Sequence, residues 1–182
     1  LFRTCFKDSY QGEIAAKYAA ETLKVKKVAV LYGTGDPYSS GVGKAFVAAA
    51  KKNGLDVVAE ENSSSADDTE YSSQLQKIEA SGAEFLYAPY YYSTVGPYIV
   101  PQARAVGYEG YIMGPDGYDG LKTTGNKANY NKVLYTTHYS PDDKSNTKVQ
   151  QFITSYKKAN NGESPNTFTA LGYDSVYMFK RA

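Results

Sequence analysis

Between residues 28 and 137 the chain alternates short apolar runs with helix-length amphipathic stretches, and few architectures satisfy that order. Val28-Ala29-Val30-Leu31-Tyr32 is continuous apolar sequence, the composition of a strand covered on both faces. Residues 56–60, 84–88, 111–113 and 133–137 read as four further strands. Strands separated by helices at this spacing predict an α/β lobe of Rossmann-like type, a parallel sheet with helices on both faces and right-handed crossovers.

The helices have their own signals. Ile14, Ala15, Tyr18, Ala19 and Thr22 predict a first helix over residues 9–23, capped by Asp8 or Ser9. Val42, Ala45, Phe46 and Ala49 share a face of the second. Asp67 and Glu70 have capping-box spacing ahead of a third, whose stripe is Tyr71, Leu75 and Ile78. Asp67 and Asp68 have no third ligand type nearby, which favours a cap over a metal site. Ser93 or Thr94 is placed to cap a fourth helix carrying Val95, Ile99 and Ala103. Pro97 falls in its first turn, but Pro101 lies deeper and predicts a kink or a re-registered turn. Residues 147–160 and 166–182 predict two last helices with no strand between them. Their stripes, Val149, Phe152, Ile153 and Tyr156, then Phe168, Leu171, Ser175 and Phe179, need a sheet to cover.

Composition narrows the function. The 182 residues hold 20 Lys plus Arg against 19 Asp plus Glu, with the cations scattered, which argues against a nucleic-acid partner. One Cys and one His exclude a disulfide framework and a multi-cysteine metal site, and no cofactor or metal is expected. No stretch approaches the roughly 20 apolar residues of a membrane-spanning helix. The chain begins without Met and stops inside a helical pattern, so it reads as a piece of a longer protein. Gly33-Thr34-Gly35 after the first strand is an incomplete dinucleotide fingerprint, because Tyr38 stands where the third glycine belongs.

Open parallel sheets bind ligands beyond the carboxyl ends of their strands. The loops starting at Gly33, Glu61, Pro89 and Gly114 face that edge and bring Tyr38, Tyr90, Tyr91, Tyr92 and Asp116 to it. Tyrosine combines ring area with a hydroxyl, and with a carboxylate it suits a small amphipathic molecule bearing a cation. Asp116 can equally be a turn carboxylate after Pro115, and Asp119 a solvated or capping residue or a second acceptor. Tyr87 reads as strand core, and Cys5 as a small buried residue.

With those residues placed, the sequence resembles the type I periplasmic substrate-binding proteins of branched-chain amino-acid ABC transporters. The resemblance rests on Phe2-Arg3-Thr4, Gln11-Gly12, residues 27–32, Tyr38-Ser39 with Gly41, and Tyr91-Tyr92. It continues through residues 102–107, Met113-Gly114-Pro115-Asp116-Gly117, residues 136–143 and Leu171-Gly172-Tyr173-Asp174. It implies residues 4–136 as the second ligand-binding lobe and 137–182 as a crossover with helices of an incomplete first lobe. It also implies that the half holding a ligand α-carboxylate is missing. Asp116 stands where the family pairs an acid with the ligand ammonium, and Tyr38 and Tyr91 stand where rings line the pocket. Between Tyr92 and Gln102 the chain is one residue longer than the family pattern, so Tyr91 and Tyr92 can exchange roles.

The expected function is capture of a small ligand, an amino acid, by two-lobe closure for an ABC permease, with no enzymatic activity. The location expected is periplasmic or cell-surface, with a lipid anchor possible through a missing N-terminus. The uncovered helices predict either self-association of the chain or their non-native docking on its own lobe. The alternatives are a ligand-sensing domain of a receptor or transcription regulator, and a nucleotide-dependent enzyme on a doubly wound fold. Against the enzyme stand the broken glycine fingerprint and the lack of a base-and-nucleophile pair.

Overall fold

The computed structural model describes residues 3–182, so Phe2 of the quoted motif lies outside the described residues. The chain divides into two compact units, one formed by Lys7–Thr136 and the other by the residues up to Phe6 with Thr137–Ala182.

The first unit holds one sheet of β1 (Lys27–Gly33), β2 (Asp56–Ser63), β3 (Phe85–Tyr87), β4 (Tyr111–Gly114) and β5 (Val133–Tyr135). All neighbours are parallel, in the order β2-β1-β3-β4-β5. Side chains alternate across the pleat. Val28, Val30, Phe85, Tyr87 and Met113 face one core, and Ala29, Leu31, Leu86 and Ile112 face the other. The first core is closed by α1 (Asp8–Glu21) and α2 (Pro37–Lys52), the second by α3 (Ser72–Ala80) and by the helical stretch after β3. The sheet with helices on both faces is therefore present as the alternation predicts. β2 runs three residues beyond the predicted Glu60, because its polar end Glu61-Asn62-Ser63 still pairs with Leu31, Tyr32 and Gly33 at the sheet edge.

Several local expectations are overturned by tertiary packing. In α1 the buried face is Gln11, Gly12, Ala15, Ala16 and Ala19, while Tyr18 is exposed. The smaller face wins because α1 lies close on α2: a Cβ on Gly12 would sit 2.7 Å from both Phe46 N and Val42 O. Lys7 occupies the cap position, leaving Asp8 and Ser9 inside the helix.

No capping box forms before α3. Gln102 reaches across from α5 (Val100–Ala105) and accepts the Tyr71 N–H at 2.7 Å, while Asp68 accepts from Ser65 N and Ser64 Oγ in the preceding loop. The tyrosine stripe itself is correct, with Tyr71, Leu75 and Ile78 fully buried. Neither Ser93 nor Thr94 makes a cap bond, and buried Thr94 instead donates to Ala66 O at 2.8 Å. The predicted re-registration near Pro101 is present as a π-helical segment, Val95–Ile99, between the short α4 (Tyr92–Thr94) and α5. A π turn holds an extra residue, which accommodates a proline without its N–H.

In the second unit, α6 (Thr147–Ala159) and α7 (Thr167–Arg181) are capped by Asn146 and Asn166, whose side chains accept from Val149 N and Thr169 N. Phe152 packs against Tyr139, Tyr156 and Tyr173, and Ile153 is buried. No strand occurs among the described residues of this unit. Phe168 and Val176 remain 59% and 67% exposed on α7. A groove of about 920 Å³ is bordered by Arg3, Phe152, Tyr173, Asp174, Tyr177 and Arg181. Cys5 is exposed, contrary to its reading as a buried residue, and the Phe6 and His138 rings stack at 3.8 Å.

Candidate functional site

The strand order reverses direction between β1 and β3, since the chain moves outward to β2 on one side and through β4 to β5 on the other. A doubly wound sheet opens a crevice beyond its carboxyl ends at that point. Tyr38 enters it from the first turn of α2, Tyr91 from the loop after β3, and Asp116 from the 3-10 turn Asp116–Tyr118 after β4.

Tyr38 is held at both ends. Asp36 caps α2 by accepting from Tyr38 N at 2.7 Å and Ser39 N at 3.0 Å, and Pro37 fixes the first helical residue. The Tyr38 hydroxyl donates to Asp116 Oδ1 at 2.7 Å and accepts from Gly117 N at 3.2 Å. Its ring stacks on Tyr91 with centroids 5.2 Å apart. Burial, followed by the charge and hydrogen bond of Asp116, pushes the Tyr38 hydroxyl far above the ordinary phenolic range, so it remains a donor.

Gln11 completes the arrangement and is only 1% exposed. Its Nε2 donates to Asp116 Oδ1 at 2.8 Å, and its Oε1 accepts from Asp116 N and from Thr136 Oγ1, each at 2.7 Å. Gly117 is required by close approach: a Cβ there would lie 2.8 Å from Tyr90 O and 3.2 Å from the Tyr38 hydroxyl.

The tyrosine run divides by depth. Tyr90 is fully buried and shares a hydrogen bond with Ser63 Oγ at 2.8 Å. Tyr91 is 39% exposed beside Tyr38. Tyr92 is equally exposed, and its ring lies over Gly120, whose φ of +107° excludes most side chains. Asp119 closes the 3-10 turn by donating its N–H to Asp116 O at 2.9 Å. Of the five residues singled out from sequence, Tyr38, Tyr91 and Asp116 thus form one group, while Asp119 ends the turn that carries Asp116 and Tyr92 opens α4 with its ring over Gly120.

Gln11 was missed as a site residue. Its signal was a lone amide on a helix face otherwise made of Gly and Ala, one turn before Ala15, which a reading of apolar positions alone passes over.

The edge is electrostatically negative. Tyr91 has its hydroxyl pushed up by burial and then by Asp36, Asp116, Asp8 and Asp67 together. A carboxylate oriented by two neutral donors beside two partly wet aromatic faces is chemically matched to a cation with an apolar body. Among the described residues no cluster of three His, Cys, Asp or Glu side chains could hold a metal.

An open doubly wound sheet with an acid and aromatic rings converging beyond its switch point places the chain among α/β proteins whose candidate site lies at the carboxyl edge of the sheet. The chain belongs to the periplasmic binding protein family, whose profile matches residues 1–182. It is 30% identical over 184 residues to an amino acid binding protein of Pseudomonas aeruginosa, an alignment covering 100% of this chain and 48% of that protein. A leucine binding protein from Thermotoga maritima superposes with a TM-score of 0.84 at 32% identity, over 96% of this chain and 49% of that one. The branched-chain amino acid transporter substrate binding protein LivJ of Streptococcus pneumoniae, solved in complex with isoleucine, gives a TM-score of 0.85 at 32% identity over 94% and 48%. The chain spans about half the length of the relatives it matches.

Proposed function

We propose that this chain carries one ligand-binding lobe of the extracytoplasmic substrate-binding component of an ABC transporter, which captures an amino acid by two-lobe closure and delivers it to a membrane permease. The observation that carries the reading is the Asp116 carboxylate, oriented by Tyr38 and Gln11 at the sheet's switch point. Asp116 is assigned to the ligand ammonium, since a carboxylate with about four lone-pair sites accepts charge-assisted bonds beyond those two donors. Tyr38 and Tyr91 are assigned to the ligand's apolar body, with Tyr92 and Asp119 at the rim.

Residues 4–136 are assigned to the complete lobe and 137–182 to the part returning into its partner lobe. Family membership supports the extracytoplasmic location, and no helix among the described residues is long and apolar enough to cross a membrane. The names of the relatives, an amino acid binding protein and a structure holding isoleucine, favour an amino acid as ligand. The exposed apolar residues of α7 support self-association of the 182-residue chain when it stands alone.

The test is a thermal-shift and calorimetric screen of the whole protein against L-leucine, L-isoleucine, L-valine, other amino acids and nucleotides. Stabilisation by one or more amino acids is expected. A response to a nucleotide and to no amino acid overturns the reading.

A further inference from the structure

Gln11 uses its side chain in a way that a merely structural amide need not. A glutamine amide has one acceptor oxygen with two lone pairs and one NH₂ with two donors. Both lone pairs are engaged, one by Asp116 N and one by Thr136 Oγ1, while Nε2 holds Asp116 Oδ1. The two bonds to Asp116 close a ring through the residue's own backbone and carboxylate, so one side chain sets the turn and the carboxylate orientation together. The third bond leads elsewhere. Thr136 is the last residue of the sheet-bearing unit, and α1, whose first turn carries Gln11, begins one residue after the unit's start at Lys7.

We propose that Gln11 is a positioning residue that clamps Asp116 in its ligand-binding geometry and ties it to Thr136, so that ligand engagement is communicated to both ends of the sheet-bearing unit. The inference rests on the assignment of Asp116 to the ligand. Its chemistry is exclusive to glutamine at this place. Asn is one methylene too short to span Asp116 and Thr136 together. Glu loses the donor and sets a second carboxylate beside Asp116, and Met keeps the length but makes none of the three bonds. Thr136 supplies the diagnostic position, because its hydroxyl touches Gln11 while its backbone N–H continues the sheet by donating to Gly114 O at 3.1 Å. Thr136→Val removes the hydroxyl and leaves that backbone bond in place.

The experiment measures L-leucine and L-isoleucine affinity in the whole protein for wild type, Gln11→Met, Thr136→Val, the double variant and Asp116→Asn, with amide hydrogen exchange on the same proteins. Gln11→Met is expected to weaken binding by roughly tenfold, within the usual range of coupling between sites. Thr136→Val should lose a smaller factor, and the double variant should bind no worse than Gln11→Met, since the two share one path. Exchange at the Asp116 amide should accelerate in Gln11→Met while the strands keep their protection. Thr136→Val binding like wild type, or losses that multiply in the double variant, overturns the tie to Thr136. Undiminished protection of the Asp116 amide in Gln11→Met overturns the clamp whatever the ligand. Unchanged affinity in Asp116→Asn defeats the ligand assignment first, and this inference with it.

Discussion

Asp116 receives two hydrogen bonds on one oxygen from Gln11 and Tyr38, and the role assigned to it fixes what its loss should cost. Removing one partner of a desolvated charge pair typically costs 2 to 5 kcal/mol, so Asp116→Ala should weaken amino-acid binding by about 2 kcal/mol or more. Asp119→Ala should cost much less. Calorimetry giving the reverse order would move the ammonium role to Asp119. Tyr87 offers a separate check on the core beneath. Its hydroxyl is buried and has no hydrogen-bond partner among the described residues, while its ring stacks on Phe46 at 4.5 Å. A buried unpaired polar group costs about 1 to 3 kcal/mol. Tyr87→Phe should therefore raise the unfolding midpoint, and a clear drop would reveal a partner that the hydroxyl depends on.

The elements that position these residues depend on close approach. α1 presents Gly12 to the backbone of α2, so Gly12→Val should force the two helices apart and destabilise the unit by about 1 to 3 kcal/mol in denaturant titrations. Gly41, inside α2 with nothing within 4 Å of its Cβ position, is the control: Gly41→Val should cost little, and an equal loss there would show that crowding between α1 and α2 is not the cause. The π segment Val95–Ile99 follows directly on α4, whose cap and first residue are Tyr91 and Tyr92. It was legible in sequence only as a proline too deep in a helix, because Pro101 shows that a bond is missing and not which neighbouring turn absorbs the change. The caps were harder to read. Asp67 and Glu70 had suitable spacing, but a cap competes with every other use of the side chain, and Gln102 arriving from α5 settled that competition at α3.

At the scale of the molecule, eight tyrosines, Tyr32, Tyr38, Tyr71, Tyr87, Tyr90, Tyr91, Tyr108 and Tyr118, have their hydroxyls pushed above the ordinary value, burial being the leading cause in each. The unfolded chain releases these protons from about pH 10. Above that pH the unfolded state binds fewer protons than the folded one, so stability present below about pH 10 is lost as pH rises further. Denaturant midpoints should be level across neutral pH and fall steeply above pH 10, and a flat profile to strong alkali would contradict the burial. The second unit makes a different prediction. Phe168 and Val176 are exposed on α7, and soluble monomers seldom leave large apolar patches open. Sedimentation of the 182-residue chain should show association that Phe168→Ser with Val176→Ser reduces. A strict monomer at high concentration would show that this face tolerates water.

Local chemistry was enough to determine the parallel sheet, the five strands, and the edge at which Tyr38, Tyr91 and Asp116 meet. Strand burial is written in runs of consecutive apolar residues, and a parallel α/β order puts the loops after the strands on one side whatever the details. Tertiary structure alone decided which face of α1 is buried, since Ile14 and Tyr18 are the more apolar choice but Gly12 and Ala16 permit the shorter approach to α2. It also decided the fate of the long polar side chains. The Arg104 guanidinium donates to the carbonyls of Tyr108, Gly110, Asn129 and Asn131. Gln11, which periodicity leaves without a role, joins Asp116 to Thr136, 105 and 125 residues away along the chain. The hydrogen-bond partners of such groups are chosen by proximity in space, which hydrophobic periodicity does not encode.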